Sequence, residues 1–250
     1  MKRFTCQRCR ACCNNIQGNF REEEIKEFKL AFKKLESQGT YLAIEPEKFS
    51  IPLFPHEAKK MKELAYRIGI DFSPVPKIFM IDSKTGYSII LEWDLGYSDC
   101  PFFDGDKCLI YNYRPLTCQS FPIFPSFLLS SQEEYILLDR CSQSKRYREL
   151  NKDEIEGCFE NEIKASLLFS KELNRYKTTI EELVEKQLIT PLVLEKDRAI
   201  KMLRECERTN RIVDANEIYS ILEKAIVERP TYAVSLRNQI ITTISYLLHL

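Results

Sequence analysis

Residues 1–13 read MKRFTCQRCRACC, and Cys6, Cys9, Cys12 and Cys13 in that run are four of the chain's ten cysteines. The spacing is C-x2-C-x2-C-C. Two thiols in C-x2-C can hold one metal ion from a single tight turn, because a thiolate is a soft anionic donor suited to zinc and to iron–sulfur clusters. A third cysteine two residues on continues the wrap. Cys12 and Cys13 are adjacent, so their side chains point in different directions and serve either two sites or a bridge within one.

A second set follows about a hundred residues later in CPFFDGDKCLIYNYRPLTCQSFPIFP: Cys100, Cys108 and Cys118, with Cys141 trailing. Its spacing is too wide for one knuckle and fits a fold that closes over the N-terminal run. Cys6, Cys9 and Cys12 reproduce the C-x2-C-x2-C part of the ferredoxin run, whose completing cysteine comes from elsewhere and precedes a proline. Cys100-Pro101 has that form, whereas Cys13 departs from the C-x3-C-P ending of that run. The candidate metal ligands are therefore Cys6, Cys9, Cys12, Cys13, Cys100, Cys108, Cys118 and Cys141. They fill two four-cysteine sites, or one cluster with cysteines to spare. The cofactor is zinc or iron, with a 4Fe-4S cluster among the forms iron can take. Cys158 and Cys206 fall at apolar helical positions and read as packing residues.

Length and composition bound the rest. At 250 residues the chain makes one large domain or two small ones, and Lys plus Arg (37) balances Asp plus Glu (37). No bulk charge indicates nucleic acid. Seven glycines against eleven prolines favour helices joined by stiff connectors over a Gly-rich nucleotide fold. No run of 18 apolar residues predicts a membrane span, and Met-Lys-Arg opens no apolar signal segment. The expected location is cytoplasmic, where clustered cysteines bind metal more often than they form disulfides. There is no G-x-G-x-x-G, P-loop or G-x-S-x-G pattern. The C-x3-C-x2-C run of radical adenosylmethionine enzymes is also missing. With only His56 and His249, a histidine-rich hydrolytic zinc site is disfavoured. No catalytic residue is assigned.

Periodicity predicts an α+β fold. A helix is expected over 21–38, with Ile25, Phe28, Phe32 and Leu35 on one face and Gly39 as its C-cap. Residues 15–20 suit a short strand, and 40–54 read as irregular. Pro55 opens a second helix that Gly69 stops. KIFMIDSKTGYSIILEW is a hairpin. Residues 95–125 read as a packed irregular loop in which Asp104, Gly105 and Asp106 make a turn and Arg114 either braces a carbonyl or faces a thiolate. FLLSSQEEYILLDRC reads as another hairpin. From about Ser144 helical periodicity takes over. Capping-box patterns at Asn151/Glu154, Thr178/Glu181 and Asp214/Glu217 mark helix starts, Thr190-Pro191 opens another helix, and a last one follows Pro230. The expected organisation is a cysteine-rich metal-binding unit with small β hairpins and two helices over 1–143, then an all-α bundle over 144–250.

The two cysteine motifs taken in order closely resemble the YkgJ-type CxxCxxCC proteins, a zinc- or iron-chelating domain. The family pattern C-P-F-L, C-x-I-Y, R-P, C-R-x-F-P appears here as Cys100-Pro101-Phe102-Phe103, Cys108-Leu109-Ile110-Tyr111, Arg114-Pro115 and Cys118-Gln119-Ser120-Phe121-Pro122. Gln119 stands where the family usually has arginine. The resemblance covers residues 1–143 and implies chelation of zinc or iron. Flagellin lysine methylases of the FliB type carry a similar domain, so an iron–sulfur-dependent protein-modifying enzyme, such as a lysine methylase, is an implied alternative. A zinc-stapled interaction module without catalysis is another. A protein substrate or partner docking on the helical C-terminal region is the expected partner, with neither nucleic acid nor membrane.

Overall fold

The computed structural model describes residues 3–7, 10, 12–18, 22–125, 135–137, 141, 147, 150–215 and 217–218. The chain forms two compact units, each assembled from three separate stretches. The first takes residues 1–25, 44–75 and 93–175; the second takes 26–43, 76–92 and 176–250.

Helix α1 spans Glu22–Glu36. Glu22, Glu23 and Glu24 lie in its first turn and Lys33 and Lys34 in its last, the charge order the helix dipole favours. Ile25, Phe28, Phe32 and Leu35 are half-buried along one side, at the expected spacing. Gly39 adopts φ +79° just beyond the helix. A Cβ there would come within 2.8 Å of the Pro191 Cβ. Gly39→Ala therefore combines a left-handed backbone with a clash and should destabilise the second unit by about 2 kcal/mol or more, read as a lowered urea midpoint. An unchanged midpoint would refute this.

Strands β1 (Thr40–Leu42) and β2 (Pro52–Leu53) occupy a stretch expected to be irregular. Both are short and find their partners far along the chain, so local periodicity does not mark them. Helix α2 (Pro55–Ile68) starts at its proline and ends at Gly69 with φ +72°, as expected. Strands β3 (Val75–Ile81) and β4 (Ser88–Asp94) form the anticipated hairpin. Its turn is held by Asp82, which is 1% exposed and accepts bonds from Thr85 N (3.0 Å), Thr85 Oγ1 (2.7 Å) and Thr190 N (2.7 Å).

The loop expected over 95–125 contains more order than its prolines suggest. Strands β5 (Phe103–Asp104) and β6 (Lys107–Cys108) pair around the Gly105 turn. A short helix α3 (Leu116–Ser120) follows, then β7 (Ile123–Pro125). Strand β8 (Tyr135–Leu137) pairs with β7, with Ile123 opposite Leu137. The second hairpin is thus β7–β8, shifted from the 127–141 span; residues 126–134 and 138–140 lie outside the described residues.

Helix α4 (Lys152–Cys158) begins at the anticipated capping box: Glu154 N donates to Asn151 Oδ1, and Asn151 N donates to Glu154 Oε2. Helix α5 runs unbroken over Glu160–Glu185, which corrects the helix start expected at Thr178/Glu181. The apolar spacing of Tyr176, Ile180 and Leu183, all buried, carries the helix straight through that pattern. Thr190-Pro191 opens no helix. Pro191 instead bridges Asp82. Helix α6 spans Lys196–Arg208, after which β9 (Ile212–Asp214) pairs in parallel with β4. The region past 144 is therefore not all-α among the described residues. Its strand is three residues long, too short for alternation to reveal. Residues 15–18 are irregular, and 19–20 lie outside the described residues. Glu217 N does bond Asp214 O at 2.8 Å, but the helices expected from there and after Pro230 fall outside the described residues beyond 218.

In the second unit the sheet runs β1-β3-β4, with β9 beside β4. Tyr41, Phe79, Ile81, Ile90, Leu183, Leu203 and Val213 are buried in that unit. Tyr41 keeps its hydroxyl satisfied by donating to the Leu192 carbonyl at 3.0 Å. In the first unit β2 pairs with the end of β4, Leu53 opposite Trp93. Its buried residues include Phe54, Met61, Phe72, Leu95, Phe102, Phe159 and Phe169. Among the described residues no helix is long and apolar enough to cross a membrane.

Candidate metal centre

All described cysteines except Cys206 belong to the first unit, and none of them forms a disulfide. The scaffold that places them starts at Asp94. Its carboxylate is fully buried and accepts bonds from Ser50 N (2.9 Å), Ser50 Oγ and Gly96 N (2.9 Å). The chain turns at Gly96, φ +82°, where a Cβ would crowd Val75 at 3.2 Å.

Beyond the turn the two cysteine-bearing segments are laced together. Ile16 N donates to Ser98 O (2.7 Å), Asn15 N to Asp99 Oδ1 (2.8 Å) and Cys100 N to Cys13 O (2.7 Å). The N-terminal run itself folds back at Arg10, φ +65°, whose carbonyl accepts from Cys13 N (2.8 Å) and Asn14 N (3.0 Å). This turn carries the chain through the adjacent Cys12 and Cys13.

Cys100 and Cys108 flank one small element. Phe103 N bonds the Cys100 carbonyl at 3.1 Å, and Phe103 pairs with Cys108 across β5–β6. Phe102 between them is fully buried and meets the Phe72 ring edge-on at 4.9 Å. Cys118 rides on α3, whose first amide, Leu116 N, donates to Glu57 Oε1 at 2.7 Å. The other oxygen of Glu57 accepts from Phe54 N at 3.0 Å, capping α2. One buried carboxylate thus starts both helices and fixes Cys118 relative to α2.

These thiols sense one another. Burial pushes Cys100 up to about 11, opposed by a backbone hydrogen bond at Phe102 and reinforced by the charges of Cys108 and Cys12. Burial likewise raises Cys108, with Cys12 and Cys6 adding to the effect and Arg114 opposing it. Cys118 is raised well above its ordinary value, again first by burial, then by Cys100, Cys12 and Cys108. Cys6, Cys12, Cys100, Cys108 and Cys118, from three separated parts of the sequence, therefore share one electrostatic neighbourhood.

The other candidates are placed as follows. The Cys13 sulfur is 4.0 Å from that of Cys12 and half-buried. Cys141 is buried. Cys9 lies outside the described residues. Among the described residues no three thiol, imidazole or carboxylate side chains already stand in coordination geometry. The donor set still fits a thiophilic ion. The described candidates are all sulfur, half-buried or buried, and without disulfides, and a bound cation would displace each thiol proton to solvent and supply the thiolate's counter-charge.

Arg114 braces its own loop, donating from Nε to Tyr111 O (3.0 Å) and from a terminal nitrogen to Cys118 O (3.4 Å). Its guanidinium also covers the Tyr111 ring at 3.9 Å, and its charge reaches both Cys108 and Cys118. Gln119, in place of the usual arginine, donates to the Arg114 carbonyl at 2.5 Å. Asp104 and Asp106 stay at the exposed turn. His56 is an exposed residue of the first turn of α2, stacked on Phe54 at 5.8 Å; His249 lies outside the described residues. Cys158 and Cys206 are 2% exposed and pack on helices, as expected. Sequence reasoning missed Glu57 and Asp94. A glutamate at the third position of a proline-started helix is a readable capping signal for Glu57; for Asp94 the Asp-x-Gly turn to Gly96 is local, whereas its Ser50 partner comes from a distant loop.

A search of curated proteins finds no match, and neither does a search of solved structures. The CxxCxxCC family model, described as "putative zinc- or iron-chelating domain", matches residues 5–142, more than half of the chain. That span begins and ends beside the outermost cysteines of the two sets, and so this chain belongs to the CxxCxxCC family.

Proposed function

We propose that the protein is a cytoplasmic metal-binding protein. Its first unit would carry a resident thiolate centre of zinc or iron, the iron forms including a 4Fe-4S cluster. The ligands are drawn from Cys6, Cys9, Cys12, Cys13, Cys100, Cys108, Cys118 and Cys141. The observation that carries this reading is the shared field of Cys6, Cys12, Cys100, Cys108 and Cys118. With Cys9 continuing the C-x2-C-x2-C turn, this is more sulfur than one tetrahedral ion takes. That supply of sulfur suits two four-cysteine sites, or one cluster with cysteines to spare. Bound metal would keep the thiols ionised and tie three chain segments together. The protein's own contribution is to bring them close: the lacing of 13–16 to 98–100, the Glu57 bridge beneath Cys118, and the Arg114 charge beside Cys108 and Cys118.

Anaerobic purification followed by zinc, iron and acid-labile sulfide analysis tests this. The expected result is more than one metal ion per chain. Iron with sulfide and visible absorption identifies a cluster, and zinc without colour identifies a zinc centre. Metal-free protein whose eight thiols all react rapidly with a probe would overturn it.

A further inference from the structure

The first cysteine run is held at both ends, and one of its anchors lies outside the family-matched span. On one side, Cys13 to Ile16 is laced to Ser98–Cys100, as described. On the other, Phe4 N donates to the Cys158 carbonyl at 2.8 Å, at the corner where α4 gives way to α5. The Phe4 ring lies 4.9 Å from the Phe159 ring and 6.3 Å from that of Tyr147. Tyr147 and Phe159 themselves meet edge-on at 4.9 Å. Beneath them is an apolar cluster of Ile123, Cys158, Phe159 and Ile163. Next to Phe4, Arg3 pairs with Glu160 at 2.8 Å on the first residue of α5.

We infer that the α4–α5 corner acts as the positioning element for the N-terminal ligand Cys6: by gripping Phe4 it confines Cys6 to the neighbourhood of the metal centre before the ligands close on an ion. This rests on the metal-centre reading. Cys6 is two residues from Phe4, so its Cα stays within about 7 Å of the gripped residue. With Phe4 held on one side and Cys13 on the other, the connecting loop is tethered at both ends before metal arrives. Freed at Phe4, the loop becomes an arm, and each binding event must order it anew. Residues that orient metal ligands without touching the metal typically change affinity by roughly 10–100-fold when removed. Phe4 should fall in that range. Arg3 is 71% exposed, and its ion pair contributes far less.

The test uses the full chain with Phe4→Ala, Phe4→Tyr and Arg3→Glu. Zinc affinity is read by competition with a chromophoric chelator, and thiolate coordination by sulfur-to-cobalt charge-transfer absorption after cobalt substitution. Phe4→Ala should bind zinc roughly 10–100-fold more weakly, with reduced charge-transfer intensity per cobalt. Phe4→Tyr, which keeps the ring, should restore both; Arg3→Glu should produce a smaller loss of the same kind without threatening the fold. A second readout needs no metal: in chelator-treated protein, Cys6 should be alkylated faster in Phe4→Ala than in wild type. Equal affinity and equal charge-transfer intensity in Phe4→Ala and wild type would overturn the inference, whatever the alkylation rates. Wild-type protein that takes up neither zinc nor cobalt would overturn the metal-centre reading itself, a result plainly different from a defect confined to the variants.

Discussion

Cys118→Ser is expected to cost the protein its metal and to unfold the first unit at a much lower temperature than wild type. Cys118 sits on a helix of five residues, Leu116–Ser120, too short to stand by itself. That helix is held by the Glu57 bond to Leu116 N, by weaker bonds from Thr117 Oγ1 to Pro52 O (3.3 Å) and from Arg114 to Cys118 O (3.4 Å), and, in the proposed centre, by the sulfur-to-metal bond. Because a thiolate site does not exist in the unfolded chain, metal-binding energy is folding energy. For structural zinc it amounts to about 10–16 kcal/mol, and loss of a ligand forfeits a large share of it. Metal analysis and thermal unfolding, with and without chelator, read both effects. Cys206→Ser is the control. That thiol belongs to the second unit and donates to the Gly86 carbonyl at 3.6 Å, so its loss should leave metal content unchanged. If Cys118→Ser keeps full metal content, Cys118 is no ligand and the proposed set must be redrawn.

Asp94→Ala should be the most damaging change away from the thiols. The carboxylate is fully buried and receives two backbone amides and a hydroxyl, from Ser50 and Gly96. Hydrogen bonds to a charged group contribute about 1.5–3 kcal/mol each, and buried donors left without a partner add their own desolvation cost. A loss of about 3–5 kcal/mol is the expected sum, in line with breaking other buried charged networks. Since Gly96 starts the segment that laces Ser98–Cys100 to the N-terminal run, metal content should fall as well. Asp94→Asn, which keeps one accepting oxygen, should lose less on both counts. Urea unfolding together with metal analysis distinguishes this from a local effect; stability unchanged within 1 kcal/mol would mean that the Ser50–Gly96 bonds contribute little.

The parts of the molecule legible in the sequence are those set by neighbours a few residues away. Helix α1 showed in its 3.6-residue pattern, α2 in its proline and glycine, α4 in the Asn151/Glu154 reciprocal cap, and β3–β4 in two β-rich runs around a turn. The thiols were legible as chemistry because cysteine spacing is informative whatever the fold. What stayed hidden depends on distant pairing. Strand β9 gains its identity from β4, more than a hundred residues earlier, and β1 from β3. The Thr178/Glu181 pattern misled because a capping motif is read locally, whereas α5 continues on the burial of Tyr176, Ile180 and Leu183. Likewise nothing near Phe4 announces that its partners are Tyr147 and Phe159.

The interleaving of the two units has a consequence for how the protein is made. The stretch completing the first unit ends at residue 175, and the carbonyl that receives Phe4 belongs to residue 158. During synthesis the N-terminal thiols therefore emerge long before the helical corner that fixes them, and before the partner cysteines at 100–118. Contacts spanning such distances form slowly. The thiols at 6–13 are thus made well before the residues they meet in the folded first unit, and until those residues follow they lack the burial that the finished fold supplies.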